Sequence, residues 1–258
     1  MNIFKQLIVS LYSPKDISTF RNQGIGKTIL YVFFLTFISL LPSFYFFSTT
    51  VVNDFQMMQT TVQNDLPSFT IENGELSSEE KAPITINKDD FTIMFDSTGT
   101  VTSDDAGNTN NSIYILKNEV IYTFAGQSQS LPYTVLEGIN LTKEDVVELT
   151  SSMESFLPIF IPIVLVIIYL LSSVGKFIGV FFLALIGLIL NNTLRRNLTY
   201  GRLWRLAAYS ITLPTIFFMI MEALRTIVPS GFLIYWLVAI IMLVLVLKEI
   251  PSQEAKEE

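Results

Sequence analysis

The chain of 258 residues contains no cysteine and no histidine. Without cysteine there is no disulfide, no thiolate metal site and no thiol nucleophile. Without histidine the commonest general base, the commonest transition-metal ligand and the usual near-neutral pH switch are gone together. Arginine is absent from residues 48–155, which hold 17 Asp and Glu against four lysines, a net charge of −13. Phosphate repulsion opposes binding to so acidic a segment, so no nucleic acid is expected as a partner.

Apolar residues, by contrast, make up half of the chain. TILYVFFLTFISLLPSFYFF at 28–47 is an uncharged run of 20, enough for a helix to cross a hydrocarbon core of about 30 Å. It is too long for a signal-peptide core, and no small-x-small cleavage site follows Phe47, so it reads as an uncleaved anchor. Before it, Lys5, Lys15, Arg21 and Lys27 outnumber Asp16. Cations beside a span favour the cytoplasm, which puts the N-terminus inside and the acidic segment outside. Ile3, Phe4, Leu7, Ile8 and Leu11 recur at helical spacing, with Asn2, Lys5, Gln6 and Ser10 opposite. A short helix lying in the inner interface fits that pattern.

The block Phe156–Leu190 has 35 residues and one charge, Lys176. As a single helix it would be about 52 Å long, more than ordinary tilt hides. It therefore reads either as two short spans turning at Ser172–Lys176 or as one span plus a buried re-entrant segment. Two spans would leave Arg195, Arg196, Arg202 and Arg205 outside, against the charge rule; one span keeps them inside. Leu206–Met221 and Phe232–Leu247 supply two further spans. The expected fold is a multi-pass α-helical membrane protein of four or five spans, five favoured, with an inserted extracytoplasmic β-rich domain, all-β or α+β. The expected divisions are a cytoplasmic amphipathic lead-in (1–27), a first transmembrane helix (28–47), the acidic outer domain (48–155), a helical bundle (156–248) and a polar tail (249–258).

Within the outer domain, β-type runs are predicted at Ser68–Glu72, Ile84–Asn87, Phe91–Phe95, Ile113–Leu116, Val120–Phe124 and Tyr133–Leu136. Asn73-Gly74, Ser97-Thr98-Gly99, Lys117-Asn118-Glu119 and Gly126 mark turns, and YIL-KNE-VIYTF is the clearest hairpin. Thr142-x-x-Asp145 reads as a capping box opening a helix that continues into the next span.

Three stretches carry a resemblance: FKQLIVSLYSPKDISTFRNQGIGKTILYVFFL at the start, FTIMFDSTG in the outer domain, and RLWRLAAYSITLP at 202–214. The last, leading into two spans, makes the membrane half distantly similar to the Yip family. Over its whole length the chain resembles domain-of-unknown-function family 1189, uncharacterised bacterial membrane proteins of which some are labelled maltodextrin utilisation protein. The resemblance implies a bacterial plasma membrane of the Gram-positive type and no established activity. Nothing in the chain resembles a sugar-binding site strongly.

Several groups invite a chemical reading. Gly24-Ile25-Gly26-Lys27-Thr28 ends like a phosphate-binding loop, but Arg21 stands where a glycine is needed and no strand precedes it. Ser172 and Ser173 near Lys176 have the composition of a Ser-Lys hydrolase site, and equally that of an inter-span turn. Asp104, Asp105, Asn108 and Asn110 offer oxygens without the spacing of a calcium loop, while Asp89, Asp90 and Asp96 flank a strand as turn caps. Glu222 and Arg225, three apart, share a helix face and can form an interfacial salt bridge or meet a partner or lipid. Arg195, Arg196, Arg202, Trp204 and Arg205, with Tyr200, form a basic aromatic patch suited to topological anchoring or to anionic headgroups. The expectation is a non-enzymatic accessory or scaffold protein with no cofactor and no metal. Its partners would be another integral membrane protein or complex and anionic lipids. The alternative is a stand-alone transporter or lipid-handling protein.

Overall fold

Nine helices and eight strands occupy the residues that this computed structural model describes, which are 1–88, 91–103, 111–124, 127–136 and 138–251. The helices are α1 (Ile3–Val9), α2 (Pro14–Thr19), α3 (Ile25–Ser39), α4 (Leu41–Thr60), α5 (Lys143–Glu154), α6 (Leu157–Thr193), α7 (Tyr200–Ser210), α8 (Thr212–Ala223) and α9 (Gly231–Lys248). The strands are β1 (Phe69–Glu72), β2 (Glu75–Ser78), β3 (Ile84–Lys88), β4 (Phe91–Phe95), β5 (Ser112–Ile115), β6 (Glu119–Phe124), β7 (Gln127–Pro132) and β8 (Leu141–Thr142). They divide into two units, Met1–Thr49 with Phe160–Glu258, and Thr50–Ile159.

Three helical stretches are long and apolar enough to cross a membrane: α6, Tyr200–Ala223 and α9. A fourth arises if α3 and α4, bent by 43° at Leu40, count as one broken span. Pro42 accounts for the break, because it has no N–H for the preceding turn and its ring blocks continuation. The five spans favoured from sequence required a turn at Ser172–Lys176. Helix α6 instead runs unbroken through it for 37 residues, about 55 Å. Gly175 there is not in a left-handed conformation, so nothing ends the helix.

The helical unit is cored by Tyr31, Val32 and Leu35 of α3, Val180, Leu183 and Ala184 of α6, Leu203 and Leu206 of α7, and Leu243 and Val246 of α9. Gly187 lets α6 approach closely: a Cβ there would lie 3.3 Å from Leu243 Cδ2 and 3.7 Å from Leu203 Cβ. In the N-terminal segment the two expected faces are divided: of the apolar one, Ile3 and Leu7 pack against the helical core, and of the polar one, Asn2 and Lys5 are exposed. Gln6 and Ser10 are buried, whereas Phe4, Ile8 and Tyr12 are exposed. Gln6 faces inward because of polar pairing within the bundle, described below.

The β-rich unit has one three-stranded sheet, β2-β1-β8, and one five-stranded sheet, β3-β4-β5-β6-β7. All neighbours pair antiparallel except β4 with β5. The expected hairpin is β5–β6, with Ile115 opposite Val120. Val62, Leu66, Phe69, Ile71, Leu76, Ile93, Phe95 and Tyr133 form the main core of the β-rich unit. Strands β2, β7 and β8 have no counterpart in the sequence reading, and the strand expected at Tyr133–Leu136 is a 3-10 turn. Strand β7 is QSQSLP with every residue exposed, so it has no apolar alternation to read.

The capping box forms as expected: Asp145 N donates to Thr142 Oγ1 at 3.2 Å, and Thr142 N donates to Asp145 Oδ2 at 2.8 Å. Thr142 Oγ1 also donates to Asp145 Oδ2 at 2.7 Å, and this bond, with that from Thr142 N, holds the Asp145 carboxyl below its ordinary value. However, α5 stops at Glu154 rather than running into the next span. Pro158 cannot donate to the Glu154 carbonyl and its ring would strike it, so α6 starts afresh. Asp89, Asp90, Asp104, Asp105, Asn108, Asn110, Gly126 and the tail beyond residue 251 lie outside the described residues.

Candidate functional site

A cavity of about 580 Å³ lies among α3, α6, α8 and α9. Its walls are mostly apolar and aromatic, including Phe182, Ile211, Phe218 and Trp236. One cation reaches into it. Lys176 Nζ donates to Thr215 Oγ1 at 3.2 Å and stands 5.6 Å from the centre of the Tyr235 ring. Thr215 Oγ1 and the Tyr235 hydroxyl are 3.0 Å apart. Lysine, threonine and tyrosine thus form a polar centre in an apolar wall, each supplied by a different helix. Gly175 and Gly179, one turn apart on α6, also line the space, and a Cβ added to either would meet nothing within 4 Å. Glu222 marks one end, where it accepts a hydrogen bond from Ser43 Oγ.

A second polar cluster ties the N-terminal segment to the bundle. Gln6 Nε2 donates to Gln23 Oε1 at 2.7 Å, Gln23 Nε2 donates to Thr28 Oγ1 at 3.0 Å and to the Tyr209 hydroxyl, and Tyr209 OH donates to Gln6 Oε1 at 3.3 Å. Tyr31 packs at a tilt against Tyr209 with ring centres 4.2 Å apart, and its hydroxyl meets Thr212 Oγ1 at 2.6 Å. Buried polar groups require partners, and these satisfy one another. That is why Gln6 faces inward.

The residues singled out from sequence are not one site. Arg205 Nη1 donates to Arg21 O at 3.2 Å, Arg196 Nη2 reaches Lys248 O at 3.5 Å, and Trp204 stacks on Phe177 with ring centres 6.3 Å apart. Arg195 and Arg202 are exposed. These groups gather where α7 begins and α9 ends. Glu222 lies 17 residues beyond Arg205, about 26 Å along the α7–α8 rod. Glu222 and Arg225 do not form the expected salt bridge. Helix α8 ends at Ala223, Arg225 adopts a left-handed φ of 52°, and its guanidinium sits 4.5 Å from the centre of the Phe46 ring. Helical i,i+3 geometry is lost once the chain leaves the helix.

Nor does the structure join Lys176 to the serines beside it. Ser173 Oγ is buried without a hydrogen-bond partner, and Lys176 bonds to Thr215 instead. Gly24 precedes α3 directly, Lys27 Nζ donates to Met1 O at 2.5 Å, and Thr28 is buried against Gln23, so this segment is a helix start. Among the described residues, no group of three or more Asp and Glu is placed to hold a metal ion. Thr215 and Tyr235 were missed by the sequence reading. The available signal was Lys176 itself, since a lone ammonium in an apolar helix requires polar company from neighbouring helices.

The fold defines the class as a helical membrane protein carrying a β-rich domain. The chain matches the family described as protein of unknown function (DUF1189) over residues 4–247, and it belongs to that family. Comparison with curated proteins and with solved structures gave no match.

Proposed function

We propose that this is a non-enzymatic accessory or scaffold protein of the bacterial plasma membrane that engages another membrane protein through its outer domain and helical unit. The observation that carries this reading is the state of α6. In its most apolar 18-residue window 6% is buried, against 50% for Tyr200–Ala223. Ile159, Phe160, Ile163, Val166, Ile167, Leu170 and Leu171 are each at least half exposed. A span that its own chain leaves so bare is free to pack against a helix from another chain. Van der Waals fit and small residues drive such association in a bilayer.

The topology in this reading has the N-terminus cytoplasmic, residues 48–155 outside, and four spans, counting α3–α4 as one. An even number returns the C-terminus to the cytoplasm and keeps Arg195, Arg196, Arg202 and Arg205 inside, in accord with the charge rule. Those arginines then face anionic headgroups. Crosslinking in living cells, followed by purification in gentle detergent, tests the proposal. A membrane protein recovered in stoichiometric amount supports it, and a protein recovered alone refutes it. The cavity around Lys176 favours the lipid-handling alternative as a second reading.

A further inference from the structure

The cavity among α3, α6, α8 and α9 carries an inference independent of any protein partner. Lys176 has three ammonium donors. Among the described residues its partners are one hydroxyl and one ring face, both neutral. An ammonium held in an apolar wall is costly unless an anion or several acceptors compensate it. The other charged residue at the cavity, Glu222, is seven residues beyond Thr215 on α8, about 10 Å along the helix. It is exposed, and it accepts from Ser43 rather than from the lysine.

Shape points the same way. Beyond Lys176 the lining turns apolar, with Gly179, Ile178, Phe182, Ile211 and Ala239. The two glycines leave a side-chain-free track along α6 on either side of the lysine. At about 580 Å³ the space is ligand-sized. It equals about one turn of a helix 10–12 Å across, too little for a partner span. Ile178, Phe182 and Phe232 at its rim are exposed, so the opening faces the lipid rather than the interior of the bundle.

We propose that this cavity binds an anionic amphiphile, with its carboxylate or phosphate on Lys176, Thr215 and Tyr235 and its hydrocarbon along Gly179, Phe182 and Ile211. The charged head gives orientation, and the glycine track admits the chain.

The test uses the purified full-length protein in nanodiscs of phosphatidylcholine, with three photoactivatable probes. These are a diazirine fatty acid, the fatty alcohol of equal chain length, and a diazirine phosphatidylglycerol. Labelled peptides are mapped by mass spectrometry. The acid or the phosphatidylglycerol probe labels the cavity-lining parts of α6, α8 and α9 at least about tenfold more than the alcohol, the factor expected for one charge-assisted hydrogen bond. Whichever of the two dominates identifies the source as a free fatty acid or a phospholipid. Lys176→Gln lowers that labelling to the alcohol level, Lys176→Arg keeps it, and Gly179→Phe abolishes it while the charge stays. Equal labelling by acid, phosphatidylglycerol and alcohol in the unsubstituted protein overturns the proposal, as does labelling confined to other surfaces. The comparison among probes needs no variant, so a misfolded Lys176→Gln does not leave the question open.

Discussion

Gln23 is a single side chain that fastens three parts of the chain together: α1 through Gln6, the start of α3 through Thr28, and α7 through Tyr209. Gln23→Ala would leave Gln6 and Tyr209 with unmet polar groups, at about 1–3 kcal/mol for each group stranded away from water. The expected outcome is a lower thermal unfolding midpoint in detergent and faster proteolysis of residues 1–22. An unchanged midpoint would show that the network contributes nothing. Asp96 plays the matching part in the β-rich unit. It is fully buried, and it accepts from Thr98 N at 2.8 Å, Thr98 Oγ1 at 2.6 Å, Thr100 Oγ1 at 3.2 Å and Val101 N at 2.7 Å. Burial alone would raise its carboxyl, but these hydrogen bonds outweigh it and hold the group below its ordinary value. A depressed folded value means that its stabilising effect is complete above the unfolded value of about 3.9. The effect is lost as pH falls through the folded one. Protection of the amides of Thr98 and Val101, measured as hydrogen exchange relative to the intrinsic rate at each pH, should therefore fall below about pH 4. In Asp96→Asn that protection should be low already at neutral pH and should fall no further in acid. Sequence alone marked Asp96 as a turn cap, because a short acceptor before Ser-Thr-Gly is legible locally. Gln6 and Gln23, 17 residues apart, were not legible as a pair, since nothing local says that a polar face will be covered.

Among the elements, legibility followed periodicity. Strands β1, β3, β4, β5 and β6 alternate or carry β-branched and aromatic residues, and the capping box opens α5 with the expected residues. Strand β7 has neither signal, and its pairing with β6 is decided by the neighbouring strand. Helix α6 misled the reading in a different way. Its length argued for a turn, whereas residues 172–176, where the turn was expected, contain no helix stop. The cysteine-free chain makes this testable. A single cysteine at Val174, exposed on α6, should resist a membrane-impermeant maleimide from both sides if the helix is continuous in the bilayer. Rapid labelling from the cytoplasmic side would restore the turn and the fifth span. At the other end of α6, Gly187→Leu should force the helix off Leu203 and Leu243 and destabilise the bundle by about 1–3 kcal/mol. A neutral result in thermal unfolding would mean that this contact is loose.

On the scale of the whole molecule, composition spoke most clearly. Long apolar runs, a lysine- and arginine-rich start and an acidic arginine-free segment indicated a membrane protein with an inserted domain, and the family match covers residues 4–247. The arrangement of the candidate site was hidden because its parts, Lys176, Thr215 and Tyr235, are distant in sequence and ordinary in type. Only helix packing makes them neighbours. The account rests centrally on the bare face of α6 serving as a docking span for another membrane protein. The measurement that tests it most directly places a photo-crosslinking amino acid at Ile163, Val166 or Leu170 in the native membrane, with buried Leu183 as the control. The account predicts one dominant membrane-protein adduct from the three exposed positions and none from Leu183. Lipid adducts alone at all three positions would contradict it.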